Sequence, residues 1–252
     1  MTRPAHAAYN AGSCSSMPAP GRVGDEIMQL SSIASKIETQ TPWMDGAIAA
    51  SGTRRLEPLT PLFREGDATV NFYEILEGVA RAYKIFPDGR RQIVAFAFAG
   101  DIMGFGHGDT YRFDCDVITT TRVRAIPRSS LLRAMRDRPE LGEKLLNVAA
   151  GEVASMQDLS ILLCRKTAVE RIATFLLSMA ARQDSAMAGQ RLPLPMCRAD
   201  IADFLGLTIE TVSRTLTKLR TMLVIDLPDR GCFVLRNPVR LRELAACEGK
   251  LH

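Results

Sequence analysis

The stretch from Arg198 to Leu235 constrains this chain more than any other, because its punctuation permits few folds. A short helix is expected over 198–205, with Ile201, Ala202 and Leu205 turned inward. Gly206 ends it just past the last helical residue, where a left-handed backbone favours glycine. Thr208 then caps a second helix, whose inward stripe is Val212, Leu216, Leu219 and Leu223. Two helices joined by a three-residue turn containing glycine form the helix-turn-helix pattern. The second helix exposes Ile209, Glu210, Ser213, Arg214, Thr217 and Lys218, which suit base edges and phosphates better than burial. Val224-Ile225-Asp226-Leu227 and Cys232-Phe233-Val234-Leu235 flank the turn Pro228-Asp229-Arg230-Gly231. With Leu192-Pro193-Leu194 as a short third strand, the unit reads as a winged helix.

Charge agrees with a polyanionic partner. The chain carries a net charge of +4, and residues 191–250 hold ten Lys or Arg against seven Asp or Glu. A modest basic surplus is what phosphate contacts require.

Upstream, the texture differs. Between 55 and 127, short runs such as Phe72–Leu76, Ala80–Ile85 and Gln92–Phe98 alternate apolar and polar residues. They are bounded by Gly66-Asp67, Glu77-Gly78, Asp88-Gly89 and Gly100-Asp101. Regular short strands with glycine turns predict a compact antiparallel roll, closed by Val117-Ile118 and Val123–Ile126. After Pro127 the chain becomes helical, with Ser129 or Ser130 as a cap and Pro139 at the first turn of the next helix. That helix should run from 139 to 165, followed by another over 167–182. Leu145, Ala149, Glu152, Met156, Leu159 and Leu163 recur along the long helix at steps of 4, 3, 4, 3 and 4. This heptad-like stripe suits a two-helix dimer seam, and it equally suits packing on the chain's own domain.

An α+β fold with four parts follows. Residues 1–25, rich in Ala, Ser, Pro and Gly, form a flexible tail. Residues 26–138 form a β-roll sensor-like domain with flanking helices, including a segment carrying Ile27, Leu30, Ile33 and Ile37 at helical spacing. Residues 139–165 form the dimerisation helix, and 166–252 the winged helix-turn-helix domain. No apolar run reaches the ~20 residues a membrane-spanning helix needs, and no secretory leader is evident. A cytoplasmic chain with reduced thiols is therefore expected from its six scattered cysteines. Three histidines and no nucleophile–base set argue against an enzyme.

From about residue 55 onward the chain resembles the CRP/FNR family of bacterial transcription regulators. The resemblance rests on Leu207-Thr208-Ile209-Glu210-Thr211-Val212-Ser213-Arg214, whose E-x-x-S-R form looks like the FNR and FixK branch. Phe98-Ala99-Gly100-Asp101-Ile102-Met103-Gly104-Phe105 supports the same branch. The resemblance implies a cyclic-nucleotide-binding-like roll, a homodimer and a double-stranded DNA target like TTGAT, four spacer bases, then ATCAA. Arg214 would then pair with guanine, Glu210 with the opposite cytosine and Ser213 with a neighbouring thymine. Thr208, Ile209, Thr211, Thr217 and Lys218 would serve phosphates or flanking contacts. The turn Phe86-Pro87-Asp88-Gly89-Arg90 is a candidate surface for RNA polymerase, or a plain hairpin.

Three inputs known in this family find poor support in the residues. Gly104-Phe105-Gly106-His107-Gly108 lacks the glutamate used by cyclic-AMP-binding relatives, and Asp114 and Asp116 should repel a phosphate. An iron–sulfur cluster needs three or four thiolates, whereas the N-terminus offers only Cys14 and the fourth position is Arg124. A haem or nitric-oxide input has only His107 to offer. A cofactor-free, FixK-like activator is the resulting expectation, controlling low-oxygen, nitrogen-fixation or denitrification genes; a ligand-gated sensor is the alternative. Cys197 stands at the start of the first motif helix, near its positive end and near bound phosphate, surroundings that favour oxidation. Cys232 in the hairpin is the competing thiol.

Overall fold

The computed structural model describes residues 52–105, 108–182 and 189–246. The expected tail over 1–25, the segment 26–50, His107, Cys14 and Cys247 lie outside the described residues.

Eight strands build the first domain: β1 (Thr53–Leu56), β2 (Pro61–Phe63), β3 (Asn71–Glu77), β4 (Val79–Ile85), β5 (Arg91–Phe98), β6 (Ile102–Met103), β7 (Asp114–Val117) and β8 (Thr121–Pro127). They form two antiparallel sheets of order β1-β8-β3-β6 and β2-β7-β4-β5. The expected hairpin between the third and fourth strands turns at Gly78, whose φ is 89°. A Cβ there would come within 2.4 Å of the Thr121 side chain and 2.6 Å of the Thr120 carbonyl, so the turn accepts only glycine. Inward residues of the two sheets, among them Tyr73, Ile75, Ala80, Ala82, Val117 and Val123, share one core. The alternate residues Phe72 and Ile126 face outward from the first sheet and pack on the following helix through Leu131.

That helix, α1 (Arg128–Asp137), has Pro127 at its N-cap and no side-chain cap, so neither Ser129 nor Ser130 plays the expected role. It starts where β8 ends, with the Arg128 N–H donating to the Val70 carbonyl at 2.9 Å. Next comes α2 (Pro139–Arg165), with Pro139 in its first turn. A capping box of Thr167 and Glu170 opens α3 (Ala168–Ala181).

The expected seam on α2 is divided by the fold. Leu145 packs against the roll and α1, and Leu159 and Leu163 pack against the core of the C-terminal domain. Glu152 is half-buried, Ala149 likewise, and Met156 is exposed. The large apolar side chains left uncovered on α2 are Leu146, Val153, Met156 and Ile161, with Ala150 and Cys164 also exposed. The open stripe therefore lies mostly about one residue round from the expected one and shares Met156 with it. A long helix with apolar residues on adjacent faces offers two heptad registers, and the chain's own domains take Leu145, Leu159 and Leu163 of the first.

The C-terminal domain contains β9 (Arg191–Pro193), α4 (Arg198–Leu205), α5 (Ile209–Thr221), β10 (Ile225–Asp229), β11 (Cys232–Leu235) and α6 (Pro238–Ala245). Its sheet runs β10-β11-β9, antiparallel throughout. Phe175, Leu176, Ile201, Leu205, Val212, Leu216 and Phe233 form its core, which also takes in Val79, Tyr83 and Ile93 of the roll. The Arg171 guanidinium on α3 donates to carbonyls of Leu163, Lys166 and Leu205 at 2.8–2.9 Å, tying the ends of α2 and α4 together. Among the described residues no helix is long and apolar enough to cross a membrane.

Candidate nucleic-acid interface

The two motif helices are shaped by local chemistry. Gly206 sits at φ 61°, in the left-handed region that ends α4. The Thr208 hydroxyl accepts the Thr211 N–H at 3.1 Å and lies 2.8 Å from the Thr211 hydroxyl. This cap fixes the first turn of α5, which carries Ile209, Glu210 and Thr211. At its far end α5 stops at Thr221, earlier than expected. Leu223 adopts φ 56°, while the Leu223 and Val224 N–H groups close back on Arg220 and Leu219 at 2.9 and 3.0 Å. This is a Schellman closure with leucine in the glycine position. Leu223 is consequently 75% exposed instead of inward, and Val224 takes the buried place at 1%.

Val212, Thr215, Leu216 and Leu219 bury one side of α5. On the other side Ile209, Glu210, Ser213, Arg214, Thr217 and Lys218 are all exposed, and Thr211 is half-buried at the edge. Steps of three and four residues put Glu210, Ser213, Arg214 and Thr217 on a single strip. Arg214 Nη2 donates to Glu210 Oε1 at 2.5 Å, and the Thr217 hydroxyl donates to the Ser213 carbonyl at 2.9 Å. The β10–β11 hairpin follows α5 in the chain, with Arg230 exposed at its tip and Arg191 paired to Asp229 at 2.7 Å. A guanidinium and a carboxylate one turn apart on an open helix face can address a guanine and the cytosine opposite it.

Cys197 is the N-cap of α4. Its sulfur accepts the Asp200 N–H at 3.4 Å and its thiol donates to Asp200 Oδ2 at 3.2 Å. It is exposed, as is Cys164; Cys232 is half-buried, and Cys115 is buried with its thiol pushed far up by desolvation. Among the described residues, no three His, Cys, Asp or Glu side chains converge on a metal-sized site.

Between the roll and α2 lies a cavity of about 140 Å³, lined among others by Phe96, Asp101, Met103, Arg112, Glu152 and Arg182. Asp114 and Asp116, expected to set the acidic character here, are engaged elsewhere: Asp114 accepts the Glu65 N–H at 3.0 Å, and Asp116 holds Arg81. The carboxylates facing the cavity are Asp101 and Glu152 instead. Burial raises both above the ordinary carboxylate range, and for Glu152 the neighbouring Asp101 adds to the rise while Arg182 opposes it. Arg182 pairs through Nη1 with Asp101 at 3.1 Å and lies over the face of Phe98, 4.2 Å from the ring centre, while its buried Nε has no hydrogen-bond partner among the described residues.

The fold and the exposed α5 strip thus define a β-roll protein carrying a DNA-binding winged helix. Residues 53–138 match the cyclic nucleotide-binding domain family, and residues 170–244 match the Crp-like helix-turn-helix domain family. The chain is 42% identical over 186 residues to the nitrogen fixation regulation protein FixK of Bradyrhizobium diazoefficiens, covering 73% of this chain and 78% of that one. It is 43% identical over 195 residues to the transcriptional activatory protein AadR of Rhodopseudomonas palustris, covering 76% and 80%. The solved structure of FixK2 from Bradyrhizobium japonicum superposes with a TM-score of 0.74 at 40% identity, covering 78% of this chain and 98% of that one. This chain belongs to the CRP/FNR family of transcription regulators, in its FixK-like branch.

Proposed function

We propose that this protein is a homodimeric activator that reads a two-fold symmetric DNA site resembling TTGAT, four spacer bases and ATCAA, with one α5 per half-site. The observation that carries the reading is the open strip of α5, where Arg214 and Glu210 stand paired and uncovered. Dimer symmetry would set two such helices about one DNA turn apart, in successive major grooves. Thr208, Ile209, Thr211, Thr217 and Lys218 flank the base-reading strip and supply phosphate or edge contacts. Selection of bound duplexes from a random pool tests this: a palindrome with one G·C pair in each half-site is expected, and a non-symmetric consensus would contradict it.

The dimer forms along α2. Its supporting observation is the uncovered row of Leu146, Val153 and Ile161. Covering such a row with a second copy removes apolar surface from water. Val153→Glu should yield monomers in sedimentation, whereas a dimer of undiminished stability would move the interface elsewhere.

The roll works without cyclic nucleotide or iron–sulfur cluster. The cavity is small beside the ~300–1,000 Å³ of ordinary small-molecule sites. Its half-buried carboxylates disfavour an anionic phosphate, and the Arg182 guanidinium between them pairs with Asp101 through Nη1. Peroxide inhibits the protein by oxidising Cys197, first to a sulfenic acid with release of water and then to an anionic sulfinate. That charge would face both DNA phosphate and the Asp200 carboxylate. Peroxide inhibition undiminished in Cys197→Ser would remove this role. The target genes belong to low-oxygen respiration, denitrification or nitrogen fixation, and the exposed turn at Phe86–Arg90 offers a surface to RNA polymerase.

A further inference from the structure

Polar contacts from β4 and β5 of the roll to the C-terminal domain converge on the helix before α5. That helix, α4, meets β4 and β5 through an interface that joins residues more than a hundred positions apart. At its base, Phe96 of β5 packs against Phe204 of α4 and Phe175 of α3, with ring centres 5.1 and 6.3 Å away. Around this base runs a chain of charge. Arg81 of β4 grips Asp116 with Nε and Nη2, at 2.8 and 3.1 Å, and donates from Nη1 to Asp200 of α4 at 2.5 Å. Arg91 of β5 donates to the same Asp200 oxygen and to Asp203 Oδ2, both at 2.7 Å. Gln92 donates to the Asp203 carbonyl at 2.6 Å. The side chains of Arg81, Asp116 and Asp200 are each less than a tenth exposed.

A buried, bidentate arginine with all its partners in place is a poor source of net stability. What such a network does well is fix one geometry, because any slip of α4 along β5 leaves a buried charge unpaired. The geometry it fixes here is informative. With α4 held on β4 and β5, the Glu210–Arg214 strip of α5 remains wholly open. A dimer reading two half-sites needs both heads held at one spacing and angle, or it must pay to order them on binding.

The structure assigns a positioning role in DNA reading to Arg81 and Arg91, which hold α4 through Asp200 and Asp203 and thereby set where α5 points. The assignment rests on α5 being the DNA-reading helix. Neither arginine touches DNA; both act through α4.

Arg91 gives the cleaner test, since it is about a quarter exposed and its loss leaves the buried Arg81 pairs intact. Full-length wild type, Arg91→Ala and Arg91→Lys would be compared by fluorescence anisotropy on the palindromic duplex and on a scrambled one, alongside hydrogen exchange of backbone amides. Arg91→Ala should lose about ten-fold in affinity for the palindrome and less than about two-fold for the scrambled duplex, because the cost falls on correctly placed heads. Arg91→Lys should recover part of the loss. Amides of β5 and α4 should exchange faster, while those of α5 and the β10–β11 hairpin keep their protection. Unchanged discrimination in Arg91→Ala would overturn the role. So would faster exchange throughout the C-terminal domain, the mark of a purely structural contribution. A wild type that binds both duplexes alike would instead condemn the DNA-reading assignment, with the exchange pattern still reporting whether Arg91 holds α4.

Discussion

Arg214 and Glu210 are bonded to one another at 2.5 Å, one turn apart on the exposed face of α5. Exposed ion pairs of this kind add little to stability, about 0.3–0.5 kcal/mol. Their value here is directional: each restrains where the other's charge sits on the exposed strip. Glu210→Ala should keep overall DNA affinity within a few-fold while relaxing preference at the G·C pair. Arg214→Ala should cost roughly 1–3 kcal/mol of specific binding, nearly all of the discrimination at that position. Titrations against duplexes with the pair intact and replaced check both, and unchanged discrimination in Glu210→Ala would refute the pairing.

Leu223 pays for its left-handed backbone with little burial in return. Leu223→Gly should stabilise the domain by about 1 kcal/mol, since glycine adopts this conformation without the Cβ penalty. A thermal melt gives the answer; a lowered midpoint would mean that Leu223 makes contacts elsewhere, such as across a dimer.

Glu152 faces Asp101 and Arg182 from the middle of α2, and burial raises it. A carboxyl raised on folding carries no penalty below its unfolded value, where both states are protonated. The penalty grows as pH rises through the folded value, where the native state must hold a desolvated charge. Stability should therefore fall from mildly acidic to neutral pH, and Glu152→Gln should flatten that fall. Melts of both proteins across the acidic to neutral range decide it; parallel curves would exclude Glu152 as the source.

Cys197 stands against Asp200, which in turn holds Arg81 and Arg91. A fixed negative charge at 197 should loosen that contact as well as repel phosphate. Cys197→Asp should weaken specific binding by ~10-fold or more, with the loss shrinking at higher salt, while Cys197→Ser should bind like the reduced wild type. Equal binding by the two variants would show that charge at this position is harmless.

The parts of this fold that could be read from sequence are those written locally. Gly206 and Thr208 mark the ends of α4 and α5 because a left-handed stop and a hydroxyl cap have few substitutes. Glycine turns mark β3, β4 and β5 for the same reason. The short strands β1 and β6 carry no such marks: β1 is Thr-Arg-Arg-Leu and β6 has two residues, and both exist only because β8 and β3 offer edges to pair with. Leu223 departs from the expected stripe because the apolar periodicity continues past Thr221 while the helical backbone does not. On α2, two stripes satisfy the same heptad spacing, and only the position of the roll selects between Leu145 and Leu146. The exposed strip of α5, Ile209, Glu210, Ser213, Arg214, Thr217 and Lys218, was legible to the residue. The ionic contact that holds α4 was not, because Arg81 and Asp200 belong to separate domains and nothing near either one in the chain announces the other.

The central claim, that this chain reads a two-fold symmetric site without a ligand, is most directly tested by fluorescence anisotropy. The reduced, cofactor-free protein would be titrated onto a TTGAT-N4-ATCAA duplex and onto a scrambled control at near-physiological salt. Binding to the palindrome at least ~10³-fold tighter than to the control is the predicted result. Weak binding, equal on both duplexes, would contradict the account.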